Sequence, residues 1–192
     1  MTEGYYYESF EPKWLCLFVI DVSASMGEES LDKFNKELYD FQRLVSEDGT
    51  LKESLEVSII TFAQDFIVLQ EPSFVESFTM PLLNTNNIDA MTRALNNAVE
   101  KIDNRKMWYK LTGQSFYKPC LILVTSKPFD KLFQNSFFNQ IRLDIKAGKY
   151  ELLNYCTNEK SIFYEKYGSS IIKGKDNIFQ AMHYIHNFDL YR

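Results

Sequence analysis

The chain has 192 residues, within the range of one compact domain that can bury a sizeable core. Lys and Arg number 21 against 26 Asp and Glu, and the net charge of −5 argues against nucleic acid as a partner, because phosphate binding needs a basic face. With 7 Gly, 5 Pro, no low-complexity tract, no charge block and no repeat, nothing reads as a linker, so residues 1–192 are expected to form a single domain, 1–12 being an N-terminal extension.

The first residues, Met1-Thr-Glu-Gly-Tyr-Tyr-Tyr-Glu, are acidic and aromatic and lack the basic start and small-residue cleavage site of a secretory signal. No apolar run is long enough to span a bilayer. The expectation is a cytoplasmic protein without a membrane partner. Tyr5, Tyr6, Tyr7, Phe10 and Trp14 form an aromatic cluster that either packs across a sheet edge or serves as a docking strip.

Seven consecutive apolar residues, Trp14 to Ile20, read as a strand buried on both faces. Leu31, Phe34, Leu38, Phe41 and Val45 recur at helical spacing and predict an amphipathic helix from about Ser30 to Ser46, with Gly49 as its stop. Glu56 to Ala63 and Phe66 to Gln70 read as a hairpin turning at Gln64-Asp65. Met91, Ala94, Leu95, Ala98, Val99 and Ile102 form the next apolar stripe, and Cys120 to Thr125 the next buried strand. Phe133, Phe137, Ile141 and Ile145 mark a helix ending near Gly148, and Glu151 to Cys156 and Ser169 to Ile172 read as strands. Asp176, Ile178, Met182 and Ile185 cap and line a last helix. Cys16, Cys120 and Cys156 are odd in number, lie in predicted strands and lack metal or redox spacing, so they are expected as reduced core residues.

Strands alternating with helices predict an α/β fold with a doubly wound, mostly parallel sheet, one antiparallel hairpin strand and helices on both faces. In such sheets ligands bind beyond the carboxyl ends of the strands, at the switch point. Asp21, the loop before Thr92, and Thr125 should border that crevice.

Asp21-Val-Ser23-Ala-Ser25 places one carboxylate and two hydroxyls at alternate positions where the first strand leaves the core. Three hard oxygen donors on a tight loop suit Mg²⁺ or Mn²⁺. The competing reading is that the serines bond the backbone of the turn and Asp21 caps the following helix. The run from Trp14 to Met26, the segment Thr92-Arg-Ala-Leu, and the block Phe116-Tyr-Lys-Pro-Cys-Leu-Ile-Leu-Val-Thr-Ser together resemble the von Willebrand factor A family, in particular its short bacterial tellurite-resistance type. The resemblance covers about residues 12 to 190. It implies a Rossmann-like fold and a metal-ion-dependent adhesion site, in which the ion is completed by an Asp or Glu of a protein partner.

The resemblance also exposes departures. Asp89 falls where that family carries a threonine, and Ser126 where it carries an aspartate. An acid and a hydroxyl have changed places, which leaves the set Asp21, Ser23, Ser25, Asp89 and Ser126 with two carboxylates and three hydroxyls. The alternative is a decayed site with Asp89 capping the helix that carries Met91. His183 and His186 lack further ligands at zinc spacing, and Lys127 reads as a solvated turn residue. The function expected is a non-enzymatic protein-interaction module with Mg²⁺ or Mn²⁺ as cofactor, of a bacterial stress or tellurite-resistance type. Two readings stand beside it: a haloacid dehalogenase-like phosphoryl-transfer enzyme, for which Ser23 replaces the needed second acid, and a metal-free structural subunit.

Overall fold

The first element of the described residues is a strand, Trp14–Asp21 (β1), whose eight residues are all buried. The computed structural model describes residues 11–83, 90–126, 136–157, 161–165 and 190–191. A 3₁₀ turn, Ala24–Met26, leads into α1 (Glu28–Glu47), whose buried residues include Leu31, Phe34, Leu38, Phe41 and Val45. Gly49, expected to stop this helix, instead opens a second short one, α2 (Gly49–Ser54). The Asp48 carboxylate explains it by accepting from the Thr50 and Leu51 amides at 3.0 and 2.9 Å, an N-cap that restarts the helix at a new angle.

The hairpin follows as β2 (Leu55–Phe62) and β3 (Phe66–Phe74), the latter running four residues past the expected end. β3 lies at the end of the sheet, contains Pro72, and pairs with β2 through register shifts around Ile59. Ile67 and Leu69 on it are exposed. Beyond it come α3 (Met91–Thr112), the short β4 (Phe116–Tyr117), β5 (Cys120–Thr125), α4 (Ser136–Lys146), β6 (Glu151–Cys156), β7 (Ser161–Glu165) and β8 (Leu190–Tyr191). The expected strand at Ser169 to Ile172, the last helix, His183, His186, Lys127, Asp89, Tyr5, Tyr6, Tyr7 and Phe10 lie outside the described residues. Trp14 belongs to β1, is 1% exposed, and donates from Nε1 to the Lys118 carbonyl at 3.1 Å.

The main sheet has the order β3-β2-β1-β5-β6-β7, with β2, β1, β5 and β6 parallel. Leaving aside the small β4, this is the doubly wound order in which the chain reverses its direction of travel between β1 and β5. The hairpin supplies the antiparallel strand at one end, and β7 adds a second one against β6 at the other. The apolar face of α1 packs with Phe18, Ile20, Ile122 and Val124 on one side of the sheet. On the other side, α3 and α4 pack Leu95, Ala98, Phe138 and Ile141 against Leu17, Val19, Leu121 and Leu123. Alternation along each strand thus splits the core into two layers.

The three cysteines are buried in this core. Burial, reinforced by the neighbouring Cys120, pushes the Cys16 thiol well up, which leaves it unreactive. At the end where the parallel strands begin, Glu56 is 2% exposed and holds α3 to β2. Its carboxylate accepts from Arg105 Nε and Nη2 at 2.7 and 2.6 Å and from the Tyr109 hydroxyl at 2.5 Å. The opposite end of the sheet, where β1 and β5 finish, holds the crevice.

Candidate metal centre

Asp21 is the last residue of β1 and is 4% exposed. The ladder continues one residue beyond it, since the Val22 amide donates to the Phe62 carbonyl at 3.0 Å. There the chain turns. Asp21 Oδ1 accepts from the Ser23 amide at 2.8 Å, and the Met26 amide donates to the Ser23 carbonyl at 2.9 Å. Met26 is 1% exposed and anchors the turn in the core, while Ser25 stays at the surface. Gly27, at φ +70°, takes a conformation that residues with a Cβ avoid and swings the chain into α1.

This turn makes hydroxyls converge. Ser23 Oγ and Ser25 Oγ are 2.7 Å apart, and Ser126 Oγ is 3.4 Å from Ser25 Oγ. From the neighbouring strand, the Thr125 hydroxyl donates to Asp21 Oδ2 at 3.5 Å. The last paired row of these strands is Ile20 with Val124, so Asp21 and Thr125 stand one row further, on the α3 and α4 face. Asp21 Oδ1 fixes the turn at the Ser23 amide rather than capping the following helix, whose N-cap is Gly27, and Oδ2 accepts from Thr125.

Adjacent ligands of an octahedral ion bound at about 2.0–2.1 Å lie about 2.9 Å apart. The hydroxyl separations of 2.7 and 3.4 Å bracket that edge. The Ser23, Ser25 and Ser126 hydroxyls are therefore brought together, with Asp21 joined to the same turn through the Ser23 amide, and this donor chemistry fits Mg²⁺ or Mn²⁺. Asp89, the fifth expected ligand, is outside the described residues. Among those residues no group of three or more His, Cys, Asp or Glu is poised to hold a metal, so the cluster is hydroxyl-rich with a single carboxylate.

No protein-family model matches the chain, and no curated protein matches it in sequence. Solved structures do. The chain is similar to the PilB minor pilin from Streptococcus sanguinis, at 15% identity and a TM-score of 0.44 over 60% of this chain and 30% of that one. It is similar to the vWF domain of a type V pili tip protein from Porphyromonas gingivalis, at 17% identity and a TM-score of 0.40 over 61% and 38%. An aerotolerance-related membrane protein from Bacteroides fragilis is matched at 14% identity and a TM-score of 0.44 over 86% and 78%. The chain spans about a third of the length of the two pilus proteins. None of these likenesses carries a residue's role across. No helix among the described residues is long and apolar enough to cross a membrane.

Several residues escaped the sequence reading. Thr125 was placed at the crevice border but not against Asp21, a contact that depends on the register of two strands about a hundred residues apart. Glu37, Tyr155 and Thr157 line a cavity beside the hydroxyl cluster, where Thr157 Oγ1 donates to Met26 Sδ at 3.5 Å. Burial pushes the Glu37 carboxyl up, the Tyr155 hydroxyl opposes this by bonding it, and Asp40 adds to the rise. Burial and that same carboxylate push the Tyr155 hydroxyl up. Asn154 is 1% exposed, with neither amide atom hydrogen-bonded among the described residues. An Asn interrupting the apolar run Glu-Leu-Leu-Asn-Tyr-Cys was the available signal for it.

Proposed function

We propose that the crevice binds Mg²⁺ or Mn²⁺ through Asp21, Ser23, Ser25 and Ser126, with Asp89 as a further ligand, and that the bound ion receives an Asp or Glu from a protein partner. The observation that carries the reading is the convergence of the Ser23, Ser25 and Ser126 hydroxyls beside Asp21 at the switch point of the sheet. Hydroxyls bring no charge, so they leave the ion electrophilic and in need of an anionic ligand from outside. The ion supplies that Lewis acidity when bound. The chain's own part is to hold the hydroxyls in place, through the Asp21 turn and the buried Met26.

The reading is of an interaction module and not a catalyst, because no general acid stands near Asp21 among the described residues. A bacterial stress or tellurite-resistance setting, and a cytoplasmic location, belong to this proposal as implications of the family resemblance.

Calorimetric titration with Mn²⁺ tests it. Wild type should bind one ion, and Asp21→Ala should lose at least tenfold in affinity. Asp89→Thr should weaken binding severely, and adding Ser126→Asp should recover much of the loss, a coupling expected only of positions that share one ligand shell. A wild type that binds no Mn²⁺ at millimolar concentration overturns the metal reading. Phosphoester turnover that disappears in Asp21→Ala would instead favour the hydrolase.

A further inference from the structure

Asp21 Oδ2 accepts from the Thr125 hydroxyl at 3.5 Å, and among the described residues no other side chain donates to that oxygen. Asp21 is 4% and Thr125 1% exposed, so the contact lies out of the solvent. It follows from register. β1 and β5 are parallel and their last paired row is Ile20 with Val124, so the next residue on each strand stands beside the other.

Thr125 is itself fastened. It is paired with Cys156 in the ladder between β5 and β6, and its carbonyl accepts from the Thr157 amide at 3.0 Å. One residue on, the Ser126 carbonyl accepts from Cys156 Sγ at 3.6 Å. The end of β5 is thus pinned to β6 on its outer side, while its two hydroxyls turn to the β1 side, Ser126 toward Ser25 and Thr125 toward Asp21. The Thr157 hydroxyl donates to Met26 Sδ at 3.5 Å, which ties the same strand end to the turn that carries Ser23 and Ser25.

Asp21 is the one carboxylate among the described members of the ligand set, so its orientation decides how negative charge is presented to an ion. The Ser23 amide holds Oδ1 at 2.8 Å, and that bond alone leaves the plane of the carboxylate free to turn. A donor on Oδ2 fixes it. Groups that bond a metal's ligands from behind orient them and tune affinity without touching the metal. We infer that Thr125 is a positioning residue of the candidate metal centre, its hydroxyl orienting the Asp21 carboxylate for the ion shared with Ser23, Ser25 and Ser126. The inference rests on the metal reading and adds to it a residue that acts only through Asp21.

Calorimetric titration of the full chain with Mn²⁺ tests it, with urea denaturation in EDTA showing that each variant is folded. Thr125→Val keeps the shape of the side chain and removes the donor, and affinity should fall about 10–100-fold. Thr125→Ser restores a hydroxyl and should recover most of that loss. Rescue by serine is what a packing role would not give, since serine lacks the methyl that valine keeps. Should Thr125→Val not fold, Thr125→Ala takes its place with the same expectation. A wild type that binds Mn²⁺ while folded Thr125→Val binds as tightly, or while Thr125→Ser binds no better than Thr125→Val, overturns the positioning role and leaves the metal reading standing. A wild type that binds no Mn²⁺ at millimolar concentration overturns both.

Discussion

Asn154 shows how much one side chain can carry. It occupies the row Leu123–Asn154–Phe163 on the α3 and α4 face, two strands from β1 and two rows short of the row that holds Thr125 and Cys156. A buried amide whose donors and acceptor are both unused costs about 1–3 kcal/mol. Asn154→Leu, apolar and of similar size, is therefore expected to raise stability by about 1–2 kcal/mol in urea denaturation. A loss of stability would mean that an ordered water or a polar partner holds the amide. At this scale the sequence was legible where chemistry is contiguous. Asp21, Ser23 and Ser25 lie within one turn, and their convergence follows from strand-end geometry. Ser126 was reached only through the family resemblance. Thr125 was not legible as a neighbour of Asp21, nor Glu37 and Asn154 as buried polar groups, because what they meet is set by strand register and helix rotation rather than by neighbours in the chain.

At the scale of elements, Cys120–Thr125 and Glu151–Cys156 fall where their apolar composition placed them, since buried parallel strands read as uninterrupted apolar runs. Gly49 misled because a glycine after a helix is a common stop, whereas here an aspartate one residue earlier begins another helix. The Glu56 latch was invisible in sequence, since Glu56 and Arg105 meet only once α3 has crossed the sheet. The guanidinium lies 4.2 Å from the Trp108 ring centroid as well as bonding Glu56 through two nitrogens. Arg105→Ala leaves a carboxylate at 2% exposure with the loss of its cation. The expected cost is about 3 kcal/mol in urea denaturation, with Mn²⁺ binding at the far end of the sheet unchanged in the variant while it remains folded. A cost below about 1 kcal/mol would show that solvent reaches Glu56 and screens it.

For the molecule as a whole, the alternation of elements was sufficient to specify the doubly wound sheet, and the antiparallel β7 was the piece it did not reveal. The parallel strands align their carboxyl ends at one pole, which gathers Asp21, Thr125 and Ser126 there, and their amino ends at the other, where Glu56 and Arg105 bind α3 to the sheet. The proposed site and the fastening are thereby separated by the length of a strand. Substitutions at the two poles should have additive effects on stability.

The irregular outer strand limits how these molecules can meet. An open strand invites another copy to zip alongside it, and exposed Ile67 and Leu69 would make such a seam adhesive. Pro72 withholds an amide from any newcomer, and the register shifts around Ile59 bend the strand away from a flat template. Pro72→Val should therefore increase self-association, seen as a larger scattering mass than wild type at matched concentration, and an unchanged mass would assign the protection to the bend alone. With lateral growth blocked on that flank, the molecule behaves as a unit of low valence. On the proposed reading, a partner that offers an acid to the crevice recruits the molecule without its recruiting more of itself.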